Sequence, residues 1–158
     1  MAQDIKKIIA QEYLKCAKDP AYFMRKYCFI QHPTRGRILF NLYPFQEKAL
    51  HLFRDNQYII TLKSRQLGIS TLASAYSLWL MIFHKDKNVL ALATTQATAR
   101  NLVTKTMFMY DQLPKWIKLP ALEKNKLSLR LKNGSKITAK SSNADAARSE
   151  AVSLLLID

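Results

Sequence analysis

Three short β-prone or apolar runs, Tyr58–Leu62, Asn88–Ala93 and Val152–Ile157, alternate with segments of helical periodicity, and this pattern constrains the chain more than any other feature. A run of five or six such residues without polar alternation is the mark of a strand covered on both faces, as in a parallel sheet. Parallel strands need crossovers long enough to hold a helix. The intervening chain supplies them: Thr71 to His84 is a long apolar helix, and a second helix runs from about Ala97 to Leu113. The alternation predicts an α/β fold, a mostly parallel sheet flanked by helices. The 158 residues leave room for about one domain.

Upstream, Ile5, Ile8, Ile9, Tyr13 and Leu14 share one face of a first helix over residues 3–17. Asp19-Pro20 restarts the chain, with Asp19 as N-cap and Pro20 at the first helical position. Tyr22, Phe23, Tyr27 and Ile30 then line the core face of a second helix. Pro33–Gly36 reads as a turn, Arg37–Leu42 as extended chain, and Pro44 opens a helix through Arg54. Residues 1–42 thus form a helical lead-in to a core spanning 43–158. Near the other end, Leu127, Leu129 and Leu131 alternate with Ser128, Arg130 and Lys132, and Ile137 and Ala139 return on the inner face. Asn133-Gly134 between them predicts a β-hairpin with a type I′ turn. Val152–Ile157 would leave an exposed sheet edge, open to pairing with another chain.

Lys and Arg outnumber Asp and Glu by 25 to 11, a formal charge of +14. Such a surplus favours a polyanion as partner; nucleic acid, an anionic membrane surface and free nucleotide all fit, and so does a purely solubilising role. Cys16 and Cys28 lie in apolar helical patterns with no metal-ligand spacing, which suits buried thiols in a reducing cytoplasm. The polar N-terminus is unlike a signal peptide. The longest apolar run, Leu72–His84, is interrupted by Ser74, Tyr76 and Ser77 and is too short to span a bilayer. These features predict a soluble intracellular protein with no membrane partner.

Chemistry concentrates in the loop Lys63-Ser64-Arg65-Gln66-Leu67-Gly68-Ile69-Ser70-Thr71, between an expected strand and an expected helix. Backbone N–H groups and a helix N-terminus can hold phosphates there. The usual pattern is Gly, four residues, Gly-Lys, then Ser or Thr. Gly68 and Ser70 fit, whereas Lys63 stands for the first Gly and Ile69 for the Lys. A cation is still at hand in Lys63 or Arg65, and Ser70 offers a hydroxyl to Mg²⁺. A basic turn between strand and helix would read the same way. Asp158 ends the last apolar run, where P-loop ATPases place an acid that holds Mg²⁺. Gln46 lies just before the first strand, and its amide can pair with the donor and acceptor of adenine.

Taken in order, Asp19-Pro20-x-Tyr22-Phe23, Leu42-Tyr43-Pro44-Phe45-Gln46, Ser64-Arg65-Gln66-Leu67-Gly68, Asn133-Gly134-Ser135, Ser141-Ser142 to Ala147-Arg148 and the run to Asp158 resemble the large terminase subunits of tailed bacteriophages. The resemblance covers nearly the whole chain. It implies an ASCE-type P-loop NTPase fold and an ATP-driven motor that moves double-stranded DNA into the procapsid. It implies ATP and Mg²⁺ as cofactors. Residues Lys63 to Thr71 would be the nucleotide-binding loop, with Gln46 reading adenine. Ser70 and Asp158 would hold the metal. Arg65 would touch phosphates, and Arg148 would be the finger that reaches a neighbouring subunit's ATP. Thr94-Thr95-Gln96 would be a coupling or phosphate-adjacent element. The implied partners are the portal protein, the small terminase subunit and further copies in a ring, in the host cytoplasm and transiently on the portal.

The basic hairpin residues Lys126, Arg130, Lys132, Lys136 and Lys140 could face DNA phosphates or simply form a solvated face. The family pattern continues the last strand as Asp-Glu, the Glu polarising the attacking water, and follows it with coupling strands and a nuclease domain. The expectation is therefore an incomplete sheet, with residues 1–158 binding nucleotide weakly and hydrolysing it poorly until a further segment or polypeptide completes the fold. Two other readings fit the same residues: a non-catalytic DNA- or partner-binding module, and a helicase-type ATPase.

Overall fold

The computed structural model describes residues 2–142 and 151–158. Helix α1 (Ala2–Lys18) is followed by α2 (Pro20–Tyr27), whose start is fixed as its sequence dictates: the Asp19 carboxylate accepts the Ala21 N–H at 2.8 Å, with Pro20 in the first turn. Strands β1 (Phe29–His32) and β2 (Gly36–Leu39) form a separate antiparallel hairpin. Helix α3 (Pro44–Asp55) and helix α4 (Ile69–Phe83) flank the loop of interest. After them come β3 (Asn88–Ala93), α5 (Gln96–Asp111), β4 (Ala121–Asn125), β5 (Ser128–Leu131), β6 (Lys136–Ser141) and β7 (Leu154–Ile157).

The main sheet is mixed, in the order β4-β5-β6-β3-β7. β3 runs parallel to both β6 and β7, and β4, β5 and β6 make an antiparallel meander. Leu129, Leu131, Ile137 and Ala139 alternate inward and are buried, so the expected period-two pattern sets the register of β5 and β6. Helix α5 packs on β3, β5 and β6, α4 packs on α5, and α2 lies against α4. Buried polar groups lock α4 to α5. The Ser74 hydroxyl donates to Leu102 O at 3.2 Å and that of Thr106 to Ser74 O at 3.3 Å. Trp79 Nε1 donates to Cys16 O at 2.8 Å, anchoring α1 to α4. Cys16 and Cys28 are fully buried free thiols, as their apolar surroundings suggest. No helix among the described residues is long and apolar enough to cross a membrane.

Several expectations are corrected. Tyr58–Leu62 forms no strand, and Tyr58, Ile60 and Leu62 are 85, 99 and 102 % exposed. β-Propensity alone cannot hold a strand without a ladder partner, and a cleft separates this segment from β7. The N-terminal helix buries little of its apolar face. Ile5, Ile8 and Leu14 are exposed, because α2 and α4 reach it only around residues 12–16 through Glu12, Tyr13 and Cys16. Ile30 belongs to β1, since α2 ends at Tyr27.

The hairpin turn is not type I′. Only Gly134 has positive φ, at +85°; Gly134 N–H donates to Leu131 O and Leu131 N–H to Ser135 O, a three-residue loop closed by a glycine bulge. Asn133 keeps negative φ because its side chain is occupied: Nδ2 donates to Met81 O at 2.8 Å and His84 O at 3.1 Å, closing the end of α4. Strand β4 has no apolar alternation to announce it, and it is exposed throughout. β7 is an edge strand, half-buried rather than covered on both faces, with Leu155 and Ile157 exposed at 45 and 75 %.

Candidate functional site

The loop Lys63–Gly68 is mostly exposed, and it curls through two left-handed residues, Gln66 at φ +66° and Gly68 at φ +72°. Gly68 is the N-cap of α4. The first helical bond runs from Leu72 N–H to Gly68 O at 2.9 Å, so the N–H groups of Ile69, Ser70 and Thr71 lack intrahelical acceptors. No acidic residue occupies the first turn and no side chain caps it. The positive end of the helix dipole is thus left without an anion from its own first turn.

Ser70 meets Asp158 here. The Ser70 hydroxyl donates to Asp158 Oδ2 at 3.1 Å, joining two residues separated by 88 positions. Asp158 is held by its backbone as well, its N–H donating to Leu92 O at 3.1 Å. Both residues, with Lys63, line a cleft of about 370 Å³ between β7 and residues 57–63. Lys63 is therefore the loop cation on the side of Ser70 and Asp158. Arg65 sits on the exposed turn and does not line that cleft. Ser64 and Gln66 are exposed, and Leu67 is 38 % exposed. Thr71 lines a different cavity.

Gln46 lies in the first turn of α3, against the loop. It is 2 % exposed. Its Oε1 accepts the Tyr43 N–H at 3.0 Å, and its Nε2 donates to Leu67 O at 3.1 Å. The amide thus closes the first turn of α3 and ties it to the loop. A Cβ on Gly68 would stand 2.9 Å from Gln46 Nε2, so a larger residue there would have to displace the amide. This clamp was legible in part: Gln46 stands three residues after Tyr43, with Pro44 between, at the spacing of a capping box. Nothing local pointed to the Leu67 carbonyl as its other partner.

Thr95, expected in a coupling or phosphate-adjacent element, is the N-cap of α5, accepting the Thr98 N–H at 3.2 Å. Among the basic hairpin residues, Lys126, Arg130 and Lys132 are exposed, and Lys136 and Lys140 are half-buried. The face is not purely basic, since Glu123 on β4 lies opposite Arg130. Arg148 lies outside the described residues. Among the described residues no group of three or more His, Cys, Asp or Glu side chains could hold a metal ion. A hydroxyl and one carboxylate suit Mg²⁺, which keeps waters and shares substrate phosphates rather than sitting in an all-protein cage.

The fold that positions these residues has a counterpart among solved structures. The fold is similar to that of the HK97 bacteriophage large terminase. The TM-score against that crystal structure is 0.69 at 16 % sequence identity, over 90 % of this chain. The chain spans 30 % of the length of the HK97 protein. No protein-family model matches the sequence.

Proposed function

We propose that the chain is the nucleotide-binding part of a terminase-like motor that uses ATP to drive double-stranded DNA into a procapsid. The contact between Ser70 Oγ and Asp158 Oδ2 carries this reading. A hydroxyl in the first turn of α4 and a carboxylate at the end of β7 converge beside Lys63, as a Mg²⁺-nucleotide site requires. The free N–H groups at the start of α4 would hold the β- and γ-phosphates, and Lys63 would supply the cation that the usual loop carries next to its Ser. Gln46 would keep the loop in its curled form through Leu67. Arg65, exposed at the loop tip, is assigned to phosphate contact, and Arg148 to action on a neighbouring subunit. Bound Mg²⁺ would supply charge that neutralises the phosphate oxygens.

The surplus of positive charge supports a DNA partner, with Lys126, Arg130, Lys132, Lys136 and Lys140 as the assigned surface. Portal protein, small terminase subunit and further copies of the chain are the partners that such a motor would engage.

The test is calorimetric titration with ATP in the presence and absence of Mg²⁺, on the parent chain and on Ser70→Ala, Asp158→Asn and Lys63→Ala. The expected outcome is Mg²⁺-dependent binding weakened by the first two substitutions and lost with the third. Equal binding with and without Mg²⁺, or indifference to Ser70 and Asp158, would remove the metal site.

A further inference from the structure

Helix α4 buries two serines, Ser74 and Ser77, among residues that are otherwise apolar or aromatic, and α5 buries Thr106; all three are 0 % exposed. A buried hydroxyl costs free energy unless it is bonded. Ser77 donates within its own helix, to Ala73 O at 2.8 Å. Ser74 also reaches across to α5. Its hydroxyl lies 2.9 Å from Ser70 O and 3.2 Å from Leu102 O, while that of Thr106 lies 3.0 Å from Leu102 O and 3.3 Å from Ser74 O. Each hydroxyl has one proton to give. The two shorter contacts make a consistent pair: Thr106 serves Leu102 O, and the Ser74 proton is left for Ser70 O. Packing alone does not call for a hydroxyl at position 74. Alanine would leave Ser70 O its helical N–H partner and Leu102 O the Thr106 hydroxyl.

The Ser70 carbonyl belongs to the same planar peptide unit as the Thr71 N–H. That N–H is one of the three at the start of α4 without an intrahelical acceptor. A hydrogen bond received at one end of a peptide unit holds its tilt and polarises the donor at the other end. We propose that Ser74 is a positioning residue for phosphate binding: its buried hydroxyl, braced by Thr106, orients the Ser70–Thr71 peptide and strengthens the Thr71 N–H as a donor to the bound anion. Thr106 acts at one remove. By occupying Leu102 O it keeps the Ser74 proton on Ser70 O. Leu102 and Ser70 both line the cleft of Asp158, so the brace spans one wall of the candidate site. The role rests on the phosphate-site reading above.

The test is calorimetric titration of the full chain with inorganic tripolyphosphate, without Mg²⁺ so that the N–H groups are read apart from the metal, together with the amide proton shift of Thr71. Ser74→Ala should weaken binding about threefold to tenfold, the worth of one net hydrogen bond. It should also move the Thr71 amide proton upfield and leave the urea midpoint little changed. A serine that served the core alone would do the reverse, moving the midpoint and sparing affinity. Thr106→Val should weaken binding in the same way, and Thr106→Ser, which keeps the hydroxyl, should bind as the parent does. If Ser74→Ala fails to fold, the two Thr106 variants carry the same test. Unchanged affinity with an unmoved Thr71 amide in Ser74→Ala, or equal losses in Thr106→Val and Thr106→Ser, would overturn the positioning role and leave the phosphate site standing. Failure of the parent chain to bind tripolyphosphate would overturn both.

Discussion

Gly68→Ala should damage the loop in two separable ways. At φ +72°, alanine is forced into the left-handed region, at a cost of about 1–2 kcal/mol. Its Cβ would also lie 2.9 Å from Gln46 Nε2, which is closer than such contacts allow. The amide is the end of a side chain and can move, but moving it breaks the Nε2–Leu67 O bond, worth about 1 kcal/mol. The total is about 2–3 kcal/mol, read as a fall in the urea midpoint with an unchanged slope. Gly36→Ala provides the control, since Gly36 has φ +66° and a Cβ there meets nothing within 4 Å. It should show the backbone cost alone. Introduced into a Gln46→Ala background, Gly68→Ala should likewise cost only about 1–2 kcal/mol, because the obstruction is gone. If Gly68→Ala costs no more than Gly36→Ala, and its effect adds simply to that of Gln46→Ala, the clamp between α3 and the loop is refuted.

Three further perturbations probe the frame around the site. Glu12 accepts from Lys26 and from the hydroxyls of Tyr27 and Tyr22, and Lys26 above all, then Tyr27, brings its pKa from 4.5 down to about 2. Its contribution is therefore present above pH 4.5 and lost as pH falls toward 2; Glu12→Gln should flatten urea stability across that window. Asn133→Ala removes both bonds to the α4 carbonyls and the Ser135 N–H bond to Asn133 Oδ1, and should destabilise the fold by about 1–3 kcal/mol by thermal unfolding. Burial pushes the Cys16 thiol up to about 12 and raises that of Cys28 further, so a thiol reagent at pH 8 should label both only at the rate of unfolding, and at once in urea. Rapid labelling of the native chain would contradict the packing of α1 and α2.

What could be read from the sequence was what local chemistry decides. Asp19-Pro20 contains its own cap and its own helical start, and the structure uses both. Val89–Ala93 is apolar without interruption, and all five residues are buried in the sheet. Ser70 and Asp158 were readable as separate candidates for a metal site, although only the register of β7 against β3 brings them together. The misreadings all depended on distant partners. Tyr58–Leu62 has the composition of a strand but no ladder partner among the described residues. Asn133 has the preferences of a type I′ turn, yet the carbonyls ending α4 recruit its side chain and leave its backbone in the ordinary region. At Gln46 the nearby partner, Tyr43, was legible, and the Leu67 carbonyl, 21 positions away, was not.

The 3.1 Å bridge between Ser70 and Asp158 closes a loop of 88 positions through one neutral hydroxyl. An ion coordinated by both oxygens would turn that weak tie into a clasp between the start of α4 and the open edge of the sheet. Ligand occupancy and the docking of β7 are then two sides of one equilibrium. Whatever binds across the pair stabilises the edge strand in proportion to the logarithm of its concentration, and whatever loosens the strand lowers the affinity by the same free energy. Among the described residues β7 pairs with β3 alone, so its order would follow any ligand that bridges Ser70 and Asp158.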